Sequence, residues 1–373
     1  MLANADLARY AGQFVWLELN YDKPENRAFL AKYGANATPT FFIIDPKNEK
    51  VAAIQTGAMS LLELTQFLDH GAAAIFAPAQ TPADATLARA DALLAQHPAE
   101  AAQAYEEAIR LASLAWRRRE LAEASLARAL EDSAQWQKCA ETARSEAAHM
   151  KRDSMFARTV VTGMWCVDQG NPAPWSKVEG NRLEPLARES LSLSTTVRDH
   201  RDELYRTLMY LSLARNDNEA AAAWGNQWLA ELDAIKPAND EERSAVDIAR
   251  VENIDVYGDP SRILPTLIAS EHAMPDNYNA SLRVAQMESA AKHYEQAIAA
   301  CDRGLARSPG ASGRSWLLQT KAEALTQQGH AAQARLVLEE AVSAAETIPN
   351  QSARDRSIER IKSALESASG APQ

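Results

Sequence analysis

Hydrophobic positions along this chain first follow a period of two and later a helical period. From Phe14 to Tyr21 (FVWLELNY), Val15, Leu17 and Leu19 alternate with Trp16, Glu18 and Asn20. That alternation predicts a strand with one face on a core. Pro24 suits the first turn of a helix. Phe29, Leu30 and Tyr33 would form that helix's apolar face, and Gly34 stands where a left-handed cap ends it. After Thr38-Pro39-Thr40 comes the apolar run Phe41 to Ile44, a turn at Asp45 to Asn48, and a second strand from Val51 to Thr56, which together predict a hairpin. Gly57 precedes a helix opened by Ser60 with Glu63 three residues on, the reciprocal arrangement of a capping box. Leu61, Leu64, Phe67 and Leu68 are its apolar face.

From Ala72 to Ala83, with Pro78 and Pro82, the pattern lapses and reads as a linker. Beyond Asp84 nearly every segment is helical and Ala-rich, with breaks every 15–20 residues, so a search for internal repeats is called for. Ala297, Cys301 and Gly304 are followed by Pro309, and Ala334, Leu338 and Ala341 by Pro349. Each set places small residues where two helices would touch, with a larger apolar residue between. Ala101, Tyr105 and Ala108 share the register, and Ile263 sits 34 residues before Ala297. Weaker matches fall at Cys139, Ala187 and Ala222, and Gln169 to Asn181 reads as an inserted loop. The small–large–small pattern resembles the second helix of tetratricopeptide repeats. That resemblance implies about seven helix pairs over residues 84–350, a capping helix and tail over 351–373, and no β-sheet in that range. Trp116, Trp136, Trp165, Trp224, Trp228 and Trp316 are expected to pack between helices.

The order strand, helix, Thr-Pro-Thr, hairpin, Gly, helix over residues 1–71 resembles the last two thirds of a thioredoxin fold. Gly57-Ala58-Met59-Ser60 and then Leu64, Phe67, Leu68 and Asp69 look like that family's last strand and helix. Pro39 looks like its cis-proline, which implies a cis Thr38–Pro39 bond and a substrate-binding edge at Thr38, Pro39 and Thr40. The W-C-x-x-C segment that does the family's chemistry has no counterpart here, since no cysteine precedes Cys139. With no thiolate available to attack a disulfide, this chain is expected not to catalyse disulfide reduction. The fold class is therefore mainly α: a TPR-like α-solenoid preceded by a partial thioredoxin-like α/β module. The resemblance also implies a natural product that starts upstream of Met1 and supplies a central strand between 14–21 and 40–45.

Composition narrows the partners. Across 373 residues, the formal net charge of −11 argues against nucleic acid, whose phosphates need clustered Lys and Arg. The basic run Arg117-Arg118-Arg119 is expected on a solvated helix face. No apolar run has the length of a membrane span. Cys139, Cys166 and Cys301 lie 27 and 135 residues apart, without C-x-x-C or zinc-ligand spacing, and read as small buried apolar residues. The histidines show no metal-ligand spacing, and no G-x-S-x-G, Walker loop or H-E-x-x-H is present. No catalytic residue, metal, cofactor or small-molecule ligand is expected. The partner expected is a protein or peptide on the repeat surface. The alternative function is a client-selective thiol–disulfide oxidoreductase whose C-x-x-C precedes Met1. The chain would be cytoplasmic if Met1 is the native start, and periplasmic or envelope-associated if a signal peptide precedes it.

Overall fold

The computed structural model describes residues 4–20, 23–34, 38–76, 81–113, 115–349 and 351–369. The chain divides into two compact units, the main boundary falling after Asn218.

α1 (Arg27–Tyr33), the first α-helix of the first unit, follows a 3-10 turn over Pro24–Asn26, and Gly34 ends it in the left-handed region, φ 70°, its N–H donating to the Leu30 carbonyl. A Cβ at Gly34 would lie 2.9 Å from the Ala95 carbonyl oxygen, so glycine is needed there for space as well as for conformation. The Thr38–Pro39 peptide bond is cis. β1 (Thr40–Asp45) and β2 (Lys50–Thr56) form an antiparallel hairpin with an irregularity between Ile43 and Ile44. α2 (Leu61–Phe76) lays Leu64, Phe67 and Leu68 on this hairpin, around Ile43 and Ala53. The capping box forms at its start: Glu63 N–H donates to Ser60 Oγ at 3.2 Å, and Ser60 N–H to Glu63 Oε2 at 2.7 Å.

The strand expected at Phe14–Tyr21 does not form over its described part, Phe14–Asn20. Among the described residues the sheet has two strands, each the other's partner. Segment 14–20 is left without a ladder, and Val15 and Leu17 are 89% and 74% exposed. Alternation makes a segment competent for a strand, but a hydrogen-bonding neighbour is what makes it one.

The expected linker is shorter than 72–83, because α2 continues through Phe76 and α3 (Pro82–Leu94) already includes Pro82 at its first turn; Pro78 lies outside the described residues. The rest of the first unit is α4 (Pro98–Leu111), α5 (Arg119–Asp132), α6 (Trp136–Ala147), α7 (Ser154–Gln169), α8 (Pro174–Ser192) and α9 (Arg198–Ala214). Three antiparallel pairs result: α3 with α4, α5 with α6, α7 with α8. The loop expected at 169–181 is only the few residues between α7 and α8. Pro174 starts α8, and Gly180 lies inside it against Leu211 and Val167.

The second unit holds α10 (Asn218–Ala234), α11 (Asp240–Tyr257), α12 (Leu264–Ala273), α13 (Tyr278–Ala290), α14 (Tyr294–Ala306), α15 (Ala311–Gln327), α16 (Ala331–Glu346) and a closing helix α17 (Gln351–Ser369). α13 and α14, and α15 and α16, pack as pairs, while α12 packs chiefly on α13 and only slightly on α11; α9 and α10 fall on the two sides of the unit boundary. No strand occurs among the described residues of 84–368.

The small–large–small residues sit at helix contacts. Ala101, Tyr105 and Ala108 are fully buried, as are Ala297 and Cys301; Ala334 and Ala341 are too, with Leu338 nearly so. A Cβ at Gly304 would come within 2.7 Å of Leu317, which shows why that position is kept small. In α10 the register is set by Ala221, with Gly225 and Trp228, and not by Ala222. Trp228 is buried as expected, whereas Trp316 is 48% exposed and does not pack between helices. The basic run is not a free face either. Arg119 donates to the Ile109 and Ala112 carbonyls at the end of α4, and Arg118 pairs with Asp84 at 3.3 Å. Two of the three cysteines are more than apolar filling: Cys139 and Cys166 form a disulfide between α6 and α7, and Cys301 is free and buried.

Candidate interaction groove

In the first unit the leading helices of successive pairs touch one another: α5 packs on α7 and α7 on α9. Their shared face is unusually polar. α5 supplies Arg128, Glu131 and Asp132; α7 supplies Arg158, Trp165 and Asp168; α9 supplies His200, Glu203 and Arg206. Arg128 binds Asp132 at 2.7 Å and reaches Glu131 at 3.4 Å. Arg206 pairs with Glu203, and its guanidinium stands 5.6 Å over the Trp165 ring.

Carboxylates on this face are held uncomfortably. Burial pushes the Glu131 carboxyl up to about 7; Arg128 opposes that rise, and Asp132 and Glu203 add to it. Asp168 is raised by burial and by Glu203, against Arg206. One buried oxygen of Glu203 has no hydrogen-bond partner among the described residues. On the outer part of α5, burial and the neighbouring Glu146 lift Glu123 to about 7.

One end of this face is occupied by the chain's own α2. The Arg158 guanidinium donates to Glu63 Oε1 through Nε at 3.0 Å and through Nη2. Burial works to raise the Glu63 carboxyl, but Arg158, the Ser60 N–H and nearby His200 outweigh it and hold the group below its ordinary value. His200 is itself driven down to about 4, by burial first and then by Arg158. Its Nδ1 is buried without a hydrogen-bond partner among the described residues. Ser60 Oγ and Ser154 Oγ are 2.8 Å apart. Further along α2, His70 Nε2 meets Asp91 Oδ2 of α3 at 2.6 Å, and Asp91 Oδ1 accepts from the Tyr105 hydroxyl of α4 at 2.7 Å. One face of α2 thus covers the hairpin and the other is pinned by polar contacts to α3 and α7.

Where α2 begins, a cleft of about 510 Å³ opens. Ser60, Ser154, Ser194, Thr195 and Thr196 line it, together with Met59, Leu61, Leu62 and Val197, and the Thr196 hydroxyl donates to the Ser190 carbonyl at 2.6 Å. It runs from the N-terminus of α2 past that of α7 to the α8–α9 connection.

Thr38, Pro39 and Thr40 belong to a different part of the unit. They lead into β1, with Thr38 and Pro39 exposed, and the Pro39 carbonyl accepts from Gly57 N–H at 2.9 Å. The shared face is formed by α5, α7 and α9, with α2 at one end, and includes none of these three. Sequence reasoning found Glu63 as a cap but missed its arginine, and it missed the His70–Asp91–Tyr105 chain. No local spacing links residues so far apart along the chain. Trp165 was picked out, but only as packing.

No family model and no curated protein matches this chain. Among solved structures it is similar to a tetratricopeptide repeat protein from Parabacteroides merdae, at 11% identity and a TM-score of 0.47, over 77% of this chain and 99% of that one. It is also similar to the TPR2AB domain of yeast Sti1 in its pHSP90 complex, at 15% identity and a TM-score of 0.30, over 77% and 98%. Superpositions this loose carry no weight for function.

Proposed function

We propose that this protein is an interaction scaffold whose first unit holds a peptide or protein segment along the shared face of α5, α7 and α9. The observation that carries this reading is the unsettled carboxylate set Glu131, Asp168 and Glu203 beside the Trp165–Arg206 stack. A lysine or arginine from a partner would favour the charged form of Glu131, oppose the rise at Asp168 and use the oxygen of Glu203 left without a hydrogen bond among the described residues. The hydroxyl-lined cleft at the start of α2 would take backbone groups of the same segment. Helix pairs of the tetratricopeptide type commonly present such a face to extended or helical peptides.

The same reading takes residues 1–71 as a thioredoxin-like module without a thiol pair, supported by the order helix, hairpin, helix and by the glycine before the last helix. Thr38, Pro39 and Thr40 are then a second contact for an extended segment.

A random peptide library displayed on phage tests the proposal. Selection on the full chain should enrich peptides with a basic residue, and their binding should fall at least tenfold on Trp165→Ala and on Glu203→Gln. Enriched peptides indifferent to both changes, or no enrichment at all, would sink it.

A further inference from the structure

The disulfide between Cys139 of α6 and Cys166 of α7 is closed to solvent, since neither residue has any exposed surface. Their Cα atoms lie 6.1 Å apart, a span that a disulfide bridges without moving the backbone. The closeness of the two helices has a cause one turn away. Ala143 and Gly163 meet so tightly that a Cβ on Gly163 would fall 2.8 Å from that of Ala143. The third cysteine is set apart. Cys301 lies buried in α14 of the other unit, and burial pushes its thiol up to about 12. In the folded chain it therefore supplies no thiolate to attack the finished bond. The fold sorts three cysteines into one bonded pair and one inert thiol.

We infer that this chain completes its folding in an oxidising compartment, where an external disulfide oxidises Cys139 and Cys166 before α6 and α7 close over them. The thiolate of one cysteine attacks a sulfur of the carrier's disulfide, giving a mixed disulfide and one carrier thiol. The second cysteine, as thiolate, attacks the first one's sulfur and releases the other carrier thiol. Two electrons and two protons pass from the cysteine pair to the carrier, and the Cys139–Cys166 bond remains. The order follows from burial: a carrier must touch a sulfur, and in the closed unit neither is within reach. In a compartment poised by glutathione and thioredoxin the same chain would close around two thiols.

Thiol counting on the full chain tests each part. One sample is refolded from denaturant with oxidised glutathione as the external disulfide. A second is refolded under dithiothreitol, desalted and only then given oxidised glutathione. Both are denatured, alkylated with N-ethylmaleimide and weighed intact. The first should carry one adduct, mapped to Cys301, and yield a linked Cys139–Cys166 peptide. The second should carry three adducts. Three adducts in the first sample, or a bond to Cys301, would overturn the pairing. Equal oxidation of the second sample would overturn the order of events. Cells of the source organism, quenched in acid and alkylated directly, should give the chain with one free thiol, and three free thiols there would overturn the compartment. A Cys301→Ser chain, refolded as the first sample, should carry no adduct; any adduct would show that the pair had not closed.

Discussion

Each unit contains a carboxylate buried almost completely on arginine, and the two pairs are built differently. In the first unit Glu63 of α2 faces one arginine, Arg158, 95 residues further on, and both side chains are largely sealed from water. In the second, Glu271 of α12 takes Arg303 at 2.8 and 3.0 Å, Arg307 at 3.5 Å and the Ser281 hydroxyl at 2.6 Å, all from α13, α14 or the turn just beyond. Burial raises both carboxyls and both finish below their ordinary value, Glu63 through Arg158 and Ser60, Glu271 through Arg303 and Ser281. The Glu271 site is redundant and half open, since Arg303 is 49% exposed. The Glu63 site is single and closed. Neighbouring helices of an array can share a charge among several donors, whereas a helix arriving from another part of the chain relies on one.

That contrast sets the largest expected effect. Arg158→Ala strands a buried carboxylate and should cost about 3–5 kcal/mol in urea unfolding of the first unit. The redundant site answers more weakly: Arg303→Ala should cost about 1–2 kcal/mol, because Arg307 and Ser281 remain. Equal losses for the two would break the comparison.

Acid should expose the closed site next. His200 is neutral in the fold, with a folded pKa of about 4 against an ordinary 6.5, so the unfolded chain takes up its proton first. Its contribution to stability is complete above pH 6.5 and is lost as pH falls to 4, by up to about 3 kcal/mol. Glu63, held low, loses its own contribution below its ordinary 4.5. Unfolding curves from pH 7 to 4 should therefore flatten in His200→Phe. A slope unchanged from the parent would remove His200 from the account.

The opposite sign sharpens the picture. Glu131 has a folded value of about 7, raised from 4.5, so it favours the fold when protonated, and that contribution is lost as pH rises from 4.5 through 7. Glu131→Gln should then be about 2 kcal/mol more stable than the parent at pH 8 and no more stable at pH 4.5. A gain at both pH values would point to packing instead of titration.

What could be read from residues alone follows the range of the interaction. Ser60 and Glu63 declare a helix start because cap and reply are three residues apart, and Gly34 declares a helix end by its own backbone freedom. Ala297, Cys301 and Gly304 declare a helix–helix contact by spacing within one helix. The second role of Glu63 was invisible, since nothing near it names Arg158. The same limit hid the disulfide: Cys139 and Cys166 each read correctly as buried, but which residue each would touch depends on how α6 docks on α7. Segment 14–20 failed in the reverse direction, with a pattern fit for a strand and no neighbouring strand among the described residues.

Cys301 offers something practical. A maleimide can react with it only when α14 lifts away from α13 or α15, so in native conditions its labelling rate is the intrinsic rate multiplied by the fraction of time the helix is open. With Cys139 and Cys166 locked together, Cys301 is the single free thiol on the chain, and its slow disappearance would time the breathing of the C-terminal helices without any engineered probe.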